Sequence, residues 1–305
     1  MTTGLTMDYE PDETDYKLRK SAVIDRELSA RCVDIAALQE TRLLETGSIR
    51  EQSYTIYWSG KPSGNPHQHG VGFAVKNTLI NNIEGPFAIS ERLCWLSLAL
   101  KKCNLSVVCA YAPTLYAAPE DKDLFYNQLS DLLSTIPSSN KILLLGDFNA
   151  RVGHDDALWP DCLGKFGIGR INDNGQRALE LCARFQLCVT NTFFKLKDHH
   201  KVSWKHPRSN SWHQLDLVLT RRRDINDVRI TRAYHSADCD TDHALVLSKL
   251  CLKIKKFHSA KKPGQKRILT SPGTYCETPY TLLRSELLGI APLTALIGLL
   301  PTWTS

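Results

Sequence analysis

The stretch KILLLGDFN at residues 141–149 limits the possible folds more than any other. Four consecutive aliphatic side chains, Ile142 to Leu145, make a strand that is apolar on both faces and needs cover on both. The run then stops abruptly at Gly146-Asp147-Phe148-Asn149, where glycine permits a sharp exit. VDIAAL at 33–38 follows the same plan and ends at Gln39-Glu40-Thr41. GVGFAVKN (70–77), LCWLSLAL (93–100) and LSVVCAYAP (105–113) read as three successive strands. LCVTN, HQLDLVL, DVRITRAY and ALVLSKL read as further strands. Helices are expected at 17–30, 121–136 and 175–187, the second with Leu124, Phe125, Leu129, Leu132, Leu133 and Ile136 on one stripe and Pro137 as its stop. Hairpin-like strand runs mixed with helices predict an α/β four-layer sandwich, two packed mixed sheets flanked by helices, rather than an alternating doubly wound sheet.

The texture changes after Leu250. Eight Lys/Arg stand against Glu277 and Glu286 beyond that point, which accounts for the whole net charge of +6. The basic surplus therefore belongs to the tail. Such a run adds nonspecific phosphate affinity or is simply solvated. Residues 1–250 are expected to form the domain and residues 251–305 a basic, disordered tail. The ten cysteines show no C-x-x-C pair, and the start of the chain is acidic and polar, unlike a signal peptide. They read as thiols of a reducing compartment. Leu287–Leu300, interrupted by Pro292, falls short of the ~18–20 apolar residues that span a bilayer, so no membrane association is expected. His67, His69, His199 and His200 lack structural-zinc spacing and read as loop residues.

Four places put polar groups where core logic does not want them. Glu40 ends one strand, although a lone carboxylate there is often merely solvated. Asp147 and Asn149, two residues apart, can face the same way. An Asp can take a proton from water or hold a metal, and an Asn amide can donate to a phosphate oxygen; a simple Asp/Asn turn fits equally well. Asp216 sits in the middle of HQLDLVLT, where both faces look buried, so it needs a partner. Thr241-Asp242-His243, just before ALVLSKL, offers one, because an Asp–His hydrogen bond fixes the imidazole and stabilises its cation.

QET at 39–41, Tyr-Ala-Pro at 111–113, GDFN at 146–149, the strand Asp216 and TDH at 241–243 resemble, in this order, the endonuclease/exonuclease/phosphatase superfamily. Within it the chain is similar to the endonuclease domains of non-long-terminal-repeat (LINE-type) retrotransposons. VDIAALQETRL, HGVGFAVKN, LLGDFNARVG, NDNGQR and SADCDTDH carry the resemblance, over roughly residues 2–250.

The resemblance implies Mg2+- or Mn2+-dependent hydrolysis of phosphodiesters, DNA as the partner, and an intracellular, nuclear setting. Carried over by position, Glu40 is the principal metal ligand and Asp242 an assisting one. Asp147 would orient and deprotonate the attacking water, and Asn149 would hold that water or a phosphate oxygen. His243, braced by Asp216, would stabilise the transition state, while Tyr111 and Ser203 would contact phosphate. Whether Asp147 or His243 is the working base stays open. Members of the superfamily begin with a strand that carries an Asn near the metal, whereas no Asn precedes Asn65 here. The resemblance therefore implies a missing first strand and an open sheet edge. Two other readings share these residues: a phosphatase of the same superfamily, and a domesticated DNA- or chromatin-binding protein without catalysis.

Overall fold

The structure, a computed structural model, describes residues 13–235, 242–255 and 291–299. Thr241 and the segments 256–290 and 300–305 lie outside the described residues. The chain opens with helix α1 (Glu13–Ala30), followed by strands β1 (Ile35–Gln39), β2 (Thr46–Arg50), β3 (Tyr54–Ser59), β4 (Val71–Lys76), β5 (Ile83–Ser90), β6 (Leu93–Ala99) and β7 (Asn104–Tyr111). Helix α2 (Pro119–Thr135), β8 (Lys141–Asp147), helix α3 (Asp173–Phe185) and β9 (Leu187–Val189) come next. The two-residue strands β10 (Trp204–Lys205) and β11 (Trp212–His213) form a hairpin. The chain then continues through β12 (Asp216–Arg221), β13 (Val228–Tyr234), β14 (Leu245–Leu252) and β15 (Ala291–Leu299).

Two mixed sheets result. One has the order β13-β14-β15-β1-β4-β3-β2 and the other β5-β6-β7-β8-β12-β9. Among the described residues only β1–β15 and β7–β8 run parallel; the other pairs are antiparallel. Period-2 alternation sorts the side chains into layers. Ile35, Ala37, Val107, Cys109, Leu143, Leu145 and Val218 meet between the sheets. Val108, Leu144, Leu217 and Leu219 turn outward onto α2 and α3, while Ala36 and Leu38 turn onto Ile24 and Leu28 of α1. The expected four-layer α/β sandwich is what forms. Pro119 opens α2 at its first turn, and Asn172 caps α3 by accepting the Gly175 N–H. Leu124 departs from the predicted stripe and is 58% exposed, because the buried face of α2 is set by Phe125, Leu129, Leu132 and Leu133. No helix among the described residues is long and apolar enough to cross a membrane.

The expectations for the tail and the sheet edge need correction. β14 runs past residue 250 to Leu252, and Ile254 bridges to Leu100. β15 lies between β1 and β14, parallel to the first and antiparallel to the second, so no edge is left open there. Leu293 and Ala295 are fully buried in the layer between the sheets. APLTALIGL lacks alternation because a strand inside a covered sheet is apolar on both faces, and nothing local marks its distant partners. Ala295→Asp should therefore place a charge in the inter-sheet core and remove at least about 3 kcal/mol of stability. That corresponds to a fall of roughly 6–12 °C in the thermal midpoint; an unchanged midpoint would show that β15 is not a working part of the sheet.

Candidate active site

The polar residues singled out in the sequence gather at one end of the two sheets. β7 and β8 place Tyr111 opposite Asp147, and β8 and β12 place Asp147 opposite Asp216. Close approach of β7 and β8 requires Gly146, since a Cβ there would lie 2.0 Å from the Ala110 carbonyl oxygen. Asp216 is 1% exposed, and its Oδ2 is 2.9 Å from His243 Nδ1. The partner that burial demanded is the one the sequence offered. At the other end of the row, Tyr111 Oη donates to Glu40 Oε1 at 2.6 Å. Glu40, Tyr111, Asp147, Asp216 and His243 thus form a continuous polar track across both sheets.

Electrostatics differentiate these groups. Burial, then the nearby Asp216 charge, raises the Asp147 carboxyl to about 7, against the opposing pull of His243 and the Asn149 N–H. Burial alone would lower the His243 pKa, but the Asp216 charge and hydrogen bond, helped by Asp147 and Asp242, outweigh it and raise the pKa to about 9. His243 is therefore cationic at neutral pH, while Asp147 is poised between acid and base. Burial, then the charge and hydrogen bond of Glu40, pushes the Tyr111 hydroxyl well above its ordinary range, so it keeps its proton.

Several expected roles change on inspection of the contacts. Tyr111 gives its one proton to Glu40 and orients that carboxylate instead of meeting a phosphate. Ser203 is fully buried, and its Oγ accepts the backbone N–H groups of Leu215 and Asp216. It braces the start of β12. Asn149 sits at φ 48°, its N–H donates to Asp147 Oδ1 at 2.8 Å, and its side-chain amide donates to the Ala112 carbonyl. Asp242 is exposed on the His243 side, where its Oδ2 accepts the Trp204 indole N–H at 2.8 Å. Among the described residues it makes no hydrogen bond or ion pair with Glu40.

Arg42 and Arg92 were given no role in the sequence, and His69 was read there only as a loop residue. Arg42 Nη2 lies 3.1 Å from Glu40 Oε2. Arg92 stacks over the Tyr111 ring, donates to the Tyr111 carbonyl and reaches His69 Nε2. Burial, then Arg92 and Lys61, lowers the His69 pKa to about 4, so its ring stays neutral. The only signal for Arg42 was its spacing, two residues from Glu40. A cavity of about 820 Å3 flanks His243 and is lined by Arg151, Trp212, His213, Tyr234 and His235 among others. That size is ordinary for a ligand cleft.

Against this geometry, residues 10–243 match the endonuclease/exonuclease/phosphatase family. Craniofacial development protein 2 of Bos taurus is 30% identical over 244 residues, which cover 80% of this chain and 40% of that protein. The protein of the same name from Tragulus javanicus is 29% identical over 244 residues, or 80% of this chain and 42% of that one. The chain thus spans about two fifths of the length of these curated relatives. Among solved structures, the endonuclease domain of TRAS1, a telomere-specific non-LTR retrotransposon, superposes with a TM-score of 0.55 at 12% identity, covering 78% of this chain and 94% of that one. The AP endonuclease LMAP from Leishmania major gives 0.54 at 14% identity, covering 74% and 81%. These likenesses establish the fold, and with the family match over most of the polypeptide they make this chain a member of the endonuclease/exonuclease/phosphatase family.

Proposed function

We propose that the chain is a divalent-metal-dependent phosphodiesterase acting on DNA, an endonuclease of retrotransposon type working with Mg2+ or Mn2+. The observation that carries this reading is the charge order along the polar track. A partly exposed carboxylate, Glu40, stands at one end, a buried carboxyl with a pKa of about 7 in the middle, and an imidazolium locked to Asp216 at the other.

The donor chemistry fits Mg2+. Mg2+ typically takes one or two carboxylates while keeping several waters, and Glu40 is a partly exposed carboxylate. Gln39 Oε1 and Asp216 Oδ1 are buried acceptors without a partner, which suits an oxygen-lined, electropositive guest. Glu40 would hold the ion, oriented by Tyr111. When bound, the metal supplies positive charge to the scissile phosphate and the leaving oxygen. Asp147 takes the proton of the attacking water, with its carboxylate steadied by the Asn149 N–H. His243 presents its Nε2–H to the phosphate, and Asp216 holds the ring in place through Nδ1. The His243 cleft receives the DNA beside the reacting phosphate.

TRAS1 is described as the endonuclease domain of a non-LTR retrotransposon and LMAP as an AP endonuclease, which favours a polynucleotide over a small phosphate. An end-labelled DNA duplex and a panel of inositol phosphates, each incubated with Mg2+ and again with EDTA, test the choice. Strand scission that EDTA abolishes, without phosphate release, is the expected result. Phosphate release without scission would move the reading to the phosphatases. Duplex binding with neither reaction would move it to a binding protein.

A further inference from the structure

We propose that Arg42 is a built-in competitor for the cation at Glu40 and, once displaced from that carboxylate, a ligand for the substrate's phosphate. The proposal rests on the metal-dependent reading above and concerns a residue to which that reading gives no part.

Both oxygens of Glu40 are engaged by other side chains. Oε1 accepts the Tyr111 hydroxyl at 2.6 Å, and Oε2 lies 3.1 Å from Arg42 Nη2. Tyrosine is a neutral partner that a bound cation can keep, because it supports the carboxylate from behind. A guanidinium is different. It brings a full positive charge to the oxygen a divalent ion would use, and two cations on one carboxylate repel. The ion pair sits at the protein surface, with the Arg42 and Glu40 side chains 32% and 24% exposed. Pairs in that setting are weak, about 0–1 kcal/mol, so a metal ion can displace the arginine.

The backbone explains why Arg42 is there at all. Glu40 and Arg42 both adopt left-handed conformations, φ 51° and 52°, around the buried Thr41. Such conformations in non-glycine residues cost on the order of 1 kcal/mol each and persist where the surroundings impose them. Here the Thr41 N–H donates to the Gly70 carbonyl, the Arg42 N–H donates to the His69 carbonyl, and the Arg42 carbonyl faces His67 Nδ1 at 3.0 Å. Gly70 leaves no room for a side chain, since a Cβ would stand 2.3 Å from Thr41 Oγ1. The main chain of Arg42 is therefore fixed, while its side-chain hydrogen bond to Glu40 uses one of its five guanidinium N–H groups. The neighbouring Arg92 is committed to Tyr111 and His69. Arg42 is thus the cation at Glu40 with donors to spare. With an ion held by Glu40, the guanidinium would be free to pair with the substrate's phosphate, which its planar fork suits.

Binding of Mn2+ and binding of DNA should move in opposite directions on mutation. Free Mn2+ is measured by its electron paramagnetic resonance signal in titrations of the full chain: wild type, Arg42→Gln, Arg42→Met, Arg42→Lys and Glu40→Gln. Binding of a 20-base-pair duplex is measured separately, with Ca2+ as the ion. Arg42→Gln and Arg42→Met should bind Mn2+ roughly 2–5-fold more tightly, the reach of a surface ion pair. They should bind the duplex roughly 5–20-fold more weakly, as expected for a lost charge-assisted contact. Arg42→Lys should stay near wild type for Mn2+ and fall between for the duplex. Mn2+ affinity in Arg42→Gln and Arg42→Met equal to or weaker than wild type, with binding still lost in Glu40→Gln, would overturn the role of Arg42 and leave the metal site standing. Absence of Glu40-dependent Mn2+ binding in wild type and in both neutral Arg42 variants would overturn both.

Discussion

Asp147→Asn is expected to lower strand cleavage by roughly 10²–10⁴-fold, the range of a lost general base, and at the same time to stabilise the protein at pH 8. The two effects have one cause. Asp147 is 3% exposed and stands opposite Asp216 across the β8–β12 pair. Its carboxyl is raised to about 7, above the ~3.9 of an unfolded chain. Between these values the folded state holds a proton that the unfolded state has released. Stability from this group therefore falls as pH rises from about 4 to about 7 and stays low above that. Asparagine removes the buried negative charge while its amide oxygen still accepts the Asn149 N–H. The gain at pH 8 is on the order of 1–3 kcal/mol and should vanish near pH 4. Melting curves of both proteins at pH 4 and pH 8, beside cleavage rates, check it. A variant that keeps its rate, or melts lower than wild type at pH 8, contradicts the assignment.

His243→Ala should have an effect of similar size for a different reason. Removal of the imidazolium takes away the donor proposed for the phosphate, worth ~10²–10³-fold in rate. It also leaves the Asp216 carboxylate buried without its partner, which costs about 3–5 kcal/mol. The sign of the pH dependence is fixed by the raised His243 pKa. Pairing contributes fully below the unfolded pKa of ~6.5 and is lost as pH climbs through about 9. The melting difference between wild type and His243→Ala should therefore narrow steadily from pH 6.5 to pH 10. In wild type, cleavage should fall above about pH 9 as the ring loses its proton. Asp216→Asn removes the charge that holds the pKa up, so its alkaline limb should move toward neutrality. A limb that stays in place would mean the ring acts without its charge.

The residues that could be read in advance were those in conflict with their surroundings. Asp216 in an apolar strand required a partner, and His243 answers it at 2.9 Å. Glu40 and Asp147 followed apolar runs that could only be covered strands, so their place at a sheet end followed from the fold. A hydroxyl carries no sign of its direction in sequence: the Ser203 oxygen accepts backbone N–H groups and the Tyr111 hydroxyl donates to Glu40. Arg42 was invisible because its role depends on two left-handed residues that no composition announces. The edge strands β2 and β5 are mostly polar or half-exposed, and so give weak strand signals. β15 has the opposite problem, an apolar run whose partners lie far away in the chain.

A supercoiled-plasmid nicking assay in Mg2+, with wild type, Glu40→Gln, Asp147→Asn and His243→Ala purified in parallel, bears most directly on whether these side chains work as one hydrolytic site. Nicking by wild type that falls at least about 10²-fold in each variant is the predicted result. Equal nicking by all four proteins, or a folded wild type that binds the plasmid and leaves it intact, would contradict it.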